Sequence, residues 1–167
     1  MRPIDPATLS QWFDAYSAEL ALYARQWLKA DQAEDVVQDV FVRLGTQRRR
    51  PKSPKAWLFR SVRNAAISHL RSHRRRQRHE AASATAASAM FDPDPAAPID
   101  AASAQRILES LSQALREVVV LRIWGQMTLR EISEVLDRPT STVFDLYRSA
   151  LEQIRQRMTE SCETKKD

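Results

Sequence analysis

Between Val40 and His79 the chain carries thirteen lysines and arginines and not one aspartate or glutamate. The other thirteen basic residues share the rest of the sequence with all 21 acidic ones, so a net charge of +5 splits into a block of +13 and a remainder of −8. A field of one sign concentrated in a single segment is suited to holding a polyanion, and nucleic acid is the first candidate. A second chemical feature is the stretch REISEVLDRPTSTVFDLYRSAL, Arg130 to Leu151, which reads as two helices joined by a tight turn. That is the outline of a DNA-reading unit. Its second helix nonetheless offers Phe144, Asp145 and Leu146 where such a reader usually presents positive charge. Catalysis has no comparable support. His69, His73 and His79 lie in or beside the arginine run, where neighbouring cations are expected to disfavour a metal ion. The sequence shows no glycine-rich phosphate loop, nucleophile motif or metal-ligand cluster. Neither an enzyme nor a cofactor is expected, and no metal.

The elements that must position these residues are helices. Only two glycines occur among abundant Leu, Ala, Arg, Gln and Glu, a composition that favours helix and starves turns. Trp12, Tyr16, Leu20, Tyr23 and Trp27 recur at steps of three and four, which places them on one stripe of a first helix, core in character. A second helix is predicted from about Gln32 to Leu44, burying Val36, Val37, Val40, Phe41 and Leu44, with Gly45 as its stop signal. QRRRPKSP follows as a loop. Ser53 and Pro54 then read as the N-cap and first residue of a third helix that runs into the arginines.

From Ala81 the sequence becomes small, polar and proline-rich, extended at DPDPAAP and flexible elsewhere, so residues 81–103 are expected to be a linker. Beyond it, Ile107, Leu108, Leu111, Leu115, Val118, Val119 and Ile123 resume helical spacing in a bundle of about four helices. Gly125 closes one helix, and Thr128 with Glu131 forms a T-x-x-E capping box that opens the next. Leu129, Ile132 and Leu136 face inward on that short helix. Asp137 occupies a turn position that calls for positive φ. Pro139 blocks continuation, and Thr140 or Ser141 can cap the last helix, whose apolar side is Val143, Tyr147, Ala150, Leu151, Ile154 and Met158.

The fold expected is therefore all-α: two small helical domains joined by a flexible linker, the C-terminal one containing a helix-turn-helix. The boundaries are 1–80, a linker at 81–103, 104–160 and a polar tail at 161–167. No apolar run is long enough to span a bilayer, and MRPIDPATL lacks the features of a secretory leader, so a cytoplasmic protein without membrane insertion is expected. Cys162 is alone, which excludes an intrachain disulfide.

Three segments together carry a family likeness: AEDVVQDVFVRL (Ala33–Leu44), KAWLFRSVRNAAISHLRSHRRR (Lys55–Arg76) and REVVVLRIWGQMTLREISEVLDRPTSTV (Arg116–Val143). In this order across a linker, they resemble the extracytoplasmic-function sigma factors of bacteria, two-domain subunits that direct RNA polymerase to promoters. The resemblance implies that Asp35, Gln38, Asp39 and Val42, one face of the second helix, dock on core RNA polymerase. It implies that the third helix opens the minus-ten element and holds its unpaired strand through Trp57, Arg60, Arg63, Asn64, Arg71, Arg74, Arg75 and Arg76. Unpaired bases need phosphate-binding charge and flat surfaces, and Trp57 and Phe59 are the rings on offer. Trp57 also fits the inward face with Leu58, Val62, Ala65 and Ala66, a structural placement. The loop Thr46–Pro54 is where the family captures a flipped base, with three arginines to flank it, and Ser68 replaces an aspartate common in the family. The start of the last helix is implied to read the minus-thirty-five element through Thr140, Ser141, Thr142, Phe144, Asp145 and Arg148. The partners expected are core RNA polymerase, promoter DNA and an anti-sigma factor, with no small-molecule substrate. Two other readings are a sigma-like adaptor or decoy that binds polymerase or an anti-sigma factor without initiating, and a helix-turn-helix repressor.

Overall fold

The computed structural model describes residues 4–47, 49–79 and 99–163. All of their regular structure is helical, and the chain divides into two units, residues 1–90 and 91–167.

In the first unit, α1 (Pro6–Ala24), α2 (Ala30–Gly45) and α3 (Pro54–His79) pack pairwise against one another. Asp5 starts α1 by accepting the Thr8 N–H at 2.9 Å, with Pro6 at the first helical position. The Thr8 hydroxyl and N–H both donate to that carboxyl and hold it below the usual carboxylate range. The expected aromatic stripe is only half realised. Leu20 and Tyr23 are fully buried, but α1 ends at Ala24, so Trp27 sits in the following turn, where its N–H bonds to the Ala24 carbonyl. Every residue predicted for the buried face of α2 is buried, together with Ala33. Gly45 is the last residue of α2, not a left-handed stop. A Cβ there would lie 3.1 Å from Leu9 Cδ2, a tight contact that a small shift of the leucine side chain on α1 would have to relieve. Ser53 accepts the Ala56 N–H at the start of α3, as the Ser-Pro pair predicts.

The core of this unit is centred on Tyr23. Its ring lies 5.4 Å from Phe59 and meets Trp27 edge-on at 5.2 Å. Leu58, Phe59, Val62 and Ala66 form the buried strip of α3. They orient the whole helix, because everything outside that narrow strip must face a groove or solvent.

The second unit contains α4 (Ile99–Ser110), α5 (Gln113–Ile123), α6 (Leu129–Leu136) and α7 (Thr140–Glu163), with α7 packed on each of the other three. Helix α4 begins inside the segment expected to be linker, so residues 99–103 are helical. Apolar Ile107, Leu108 and Leu111 downstream give that turn something to extend. The DPDPAAP segment lies outside the described residues. Likewise α7 continues three residues into the predicted polar tail.

Leu108, Leu111, Leu115, Val119 and Ala150 form one core, with Leu146 and Ile154 against it. Two expectations are corrected here. Ile123 is exposed because α5 ends on it, and Leu151 and Met158 are exposed because Leu146 rather than Leu151 turns toward α4 and α5. Arg116 ties the α4–α5 corner together. Its guanidinium donates to the carbonyls of Leu108, Glu109 and Leu111 at 2.6–2.9 Å, satisfying groups the end of α4 leaves open. Burial lowers its basicity and Glu109 opposes that shift.

The punctuation before α7 follows the sequence closely. Thr128 and Glu131 form the reciprocal capping box, and Asp137 takes φ 55°, ψ 49° to end α6. Gly125 is needed for space rather than φ: a Cβ would meet the Leu121 carbonyl oxygen at 2.7 Å, and the left-handed residue beside it is Gln126. Thr140 and Ser141 are not caps. The Val143 N–H bonds to the Pro139 carbonyl, which puts Pro139 in the capping position and Thr140–Thr142 in the first turn.

Replacing Arg116 by alanine is expected to destabilise the second unit by about 2–4 kcal/mol, since three buried or half-buried carbonyls lose a charged donor. Urea unfolding followed by circular dichroism measures it; a midpoint within error of wild type would show that water replaces the guanidinium without cost.

Candidate polymerase and nucleic-acid surfaces

The fold turns the acidic and basic parts of the first unit to different faces. On α2, Asp35, Gln38, Asp39 and Val42 are all exposed on the side opposite the core, Val42 at 66%. An isolated valine at that exposure among carboxylates and an amide has the makeup of a contact surface. The surface continues onto α1, which the sequence did not reveal. Phe13 lies at the margin of the Trp12–Tyr16–Leu20 stripe, remains 39% exposed, and packs edge-on against Phe41 at 5.0 Å. With Ser17, Glu34, Val37 and Gln38 it lines a shallow hollow of about 260 Å³.

Helix α3 carries eight lysines and arginines and no acid. At about 100° per residue, Trp57, Arg60, Asn64, Ser68, Arg71 and Arg75 fall within one arc of roughly 80°. Arg63 and Arg74 lie outside it, so the predicted set is not a single surface. Arg63 is half-buried, and Arg74 faces the turn between α1 and α2.

The two candidate rings have opposite placements. Phe59 is 1% exposed against Tyr23 and is unable to stack on a base, which corrects that expectation. Trp57, expected on the inward face, is half-buried at the edge of a groove between α2 and α3. Asp39, Arg43, Asn64, Ser68 and Arg76 line the same groove, whose volume is about 650 Å³. An aromatic wall, amide and hydroxyl groups, and two guanidiniums together can hold a flat polar ring and its phosphate.

Not all the basic residues are available to a polyanion. The Arg50 guanidinium lies 4.8 Å from the centre of the Trp12 ring, and Lys55 Nζ lies 5.6 Å from that of Tyr16 and 4.0 Å from Glu19. Both cations are thereby drawn onto α1. This pins each end of the segment between Arg50 and Lys55, so Arg50 is not a free flank of a base pocket. Arg49 is exposed, while Arg48 lies outside the described residues.

In the second unit the start of α7 presents Thr140, Ser141, Phe144, Asp145 and Arg148 to solvent, with Thr142 half-buried and Phe144 50% exposed. Asp145 Oδ1 and Arg148 Nη2 are 3.6 Å apart. Both are well exposed, so the pair contributes little stability, but it sets a carboxylate beside the one cation in these two turns. Leu146 points into the core.

Residues 12–76 match sigma-70 region 2, and residues 107–156 match sigma-70, region 4. The chain belongs to the sigma-70 family. Its two matched regions with a bridge between them give the two-domain arrangement of the extracytoplasmic-function sigma factors. Among solved structures it is similar to the sigma factor RpoE bound to the anti-sigma factor NepR from Bartonella quintana. That match has a TM-score of 0.74 and 21% identity, covering 90% of this chain and 96% of that one. It is also similar to CnrH bound to the cytosolic domain of CnrY, at a TM-score of 0.63 and 23% identity, covering 93% and 90%. No curated protein matches by sequence. Sigma factors of this family are regulatory rather than catalytic. Among the described residues of this one, no cluster of metal-binding side chains occurs and no helix is long and apolar enough to cross a membrane.

Phe59→Ala is expected to cost about 3–5 kcal/mol of stability, as for other fully buried aromatics, whereas Trp57→Ala costs about 1–2 kcal/mol from its half-buried position. Thermal and urea unfolding of both variants checks the assignment, which equal losses would reverse.

Proposed function

We propose that this sigma factor binds core RNA polymerase through α2, opens and holds the minus-ten element with α3, and reads the minus-thirty-five element with α7. The observation that carries the reading is the pairing of surfaces in the first unit. An acidic face with an exposed valine and an acid-free arc with Trp57, Asn64, Arg71 and Arg75 are fixed on adjacent, mutually packed helices. A subunit that brings a large enzyme to DNA requires that division, because the two partners demand opposite charge.

The division of labour by residue follows. Asp35, Gln38, Asp39 and Val42 meet polymerase, with Phe13 at the margin of that contact. Arg60, Arg71 and Arg75 neutralise strand phosphates while Trp57 and Asn64 face an unstacked base. Arg63 and Arg76 contribute charge from the sides. On α7, Thr140, Ser141 and Thr142 donate to a phosphate at the helix N-terminus. Phe144 touches a thymine methyl and Asp145 accepts from a cytosine amine. An anti-sigma factor is a further partner in this reading, supported by the similar RpoE, which is seen with one. The site of action is the cytoplasm, where the polymerase is.

A second reading rests on the Asp145–Arg148 pair. With its recognition helix nearly neutral, the second unit engages duplex DNA weakly, which fits an adaptor that occupies polymerase without initiating. Run-off transcription on genomic fragments with purified core polymerase separates the two. The leading reading expects promoter-dependent transcripts that the double variant Arg71→Glu/Arg75→Glu abolishes while polymerase is still retained in a pull-down. Asp39→Arg with Val42→Asp is expected to lose the pull-down itself. Polymerase retention by the wild type with no transcript from any fragment would favour the adaptor.

Asp145→Asn frees Arg148, and is expected to tighten non-specific duplex binding and to increase the salt dependence by about one released counterion. Filter binding across a salt series measures the slope; an unchanged slope would show that Arg148 does not approach a phosphate.

A further inference from the structure

Round the back of α3 from Trp57 and Asn64, a cavity of about 310 Å³ opens between the C-terminal half of α3 and the turn that joins α1 to α2. Helical geometry sets this face roughly 160° from the Trp57–Arg75 arc, and of its lining residues only His69 also reaches the groove beside Trp57. Trp27 and Leu28 form its apolar wall, and Lys29, His69, His73 and Arg74 surround the opening. No carboxylate lines it. Among the described residues, none of those four basic side chains is engaged in an ion pair. Lys29 also stands at the N-terminal boundary of α2, a helix of sixteen residues whose dipole adds positive potential on the same side.

The apolar wall is fixed in advance. The Trp27 indole meets the fully buried Tyr23 ring at 90° with centroids 5.2 Å apart, and its N–H backbone bond to Ala24 holds the turn. Leu28 beside it is buried. A preset flat ring next to the Lys29 ammonium and the Arg74 guanidinium, with the His69 and His73 rings as further hydrogen-bonding groups, recognises a planar group carrying a phosphate, and little ordering is left for binding to impose. The volume lies at the lower end of small-ligand sites, the size of a single nucleotide rather than a strand.

We propose that this cavity is a binding site for a free nucleoside phosphate, the base against Trp27 and the phosphates held by Lys29, His73 and Arg74. Arg74 thereby leaves the minus-ten set in which the family resemblance placed it. The proposal is independent of how α3 engages promoter DNA. A nucleotide within a nucleic-acid strand offers the same chemistry, but a strand held along the Trp57–Arg75 arc must wrap around α3 to enter here.

Isothermal titration of the full chain with GTP, guanosine and inorganic pyrophosphate as probes tests it. The wild type is expected to bind GTP with a Kd on the order of 10–100 μM, and each of guanosine and pyrophosphate at least about tenfold more weakly. Lys29→Ala and His73→Ala replace exposed residues, so folding is preserved, and each is expected to weaken GTP about tenfold. Trp27→Leu should abolish the preference for GTP over pyrophosphate. Arg75→Ala, on the opposite arc, should leave GTP affinity unchanged even if it damages transcription. The proposal is overturned by absence of GTP binding at about 1 mM, by binding that these three cavity variants do not alter, or by a wild type that takes pyrophosphate as tightly as GTP. Complete displacement of GTP by a single-stranded oligonucleotide would also overturn it and assign the cavity to the strand.

Discussion

The burial of one narrow strip of α3 against Tyr23 is the constraint from which the first unit takes its form. Eight cations on one helix with no acid among them repel each other, and like charges one turn apart disfavour an isolated helix. Leu58, Phe59, Val62 and Ala66 outweigh that repulsion by leaving water together. Because the strip is narrow, it also fixes the rotation of α3 about its own axis. The same contact that keeps the helix folded therefore decides which cations form a common surface.

That rotation explains why a count of basic residues overstates what one partner meets. Lys55 and Arg50 are drawn onto the rings of Tyr16 and Trp12, Arg74 faces the α1–α2 turn, and Trp57 with Asn64 and Arg75 occupies a separate arc. Helix α1, whose aromatic residues read as core, is in part an anchor for the start of α3 and the segment before it. Asp39 stands between the two functions, exposed on the α2 face and lining the groove beside Trp57. A carboxylate in that position discourages phosphate from the side of the unit proposed for polymerase.

The second unit rests on a different device. Its helices are short, and their ends are satisfied by side chains: the Thr128–Glu131 box at the start of α6 and Arg116 at the end of α4. With the left-handed Asp137, these fix the angle at which α7 emerges. Phe144, Asp145 and Arg148 are thus presented as a reading surface would be, although the Asp145–Arg148 pair mutes its charge.

The sequence by itself determined what depends on neighbours along the chain. The helical spacing of α2, the Ser53–Pro54 start of α3, the capping box and the Asp137 turn are all local, since hydrogen bonds and φ limits act within a few residues. The charge partition and the family likeness are equally legible, being properties of composition and order. Tertiary structure alone decided which residues at the margin of a stripe win a place in the core. Phe59 and Trp57 are two residues apart and both aromatic, yet only Phe59 meets Tyr23. Leu146 displaces Leu151 because α4 and α5 lie on its side of α7. Such choices turn on where another helix happens to be, and periodicity within one helix carries no information about its neighbours.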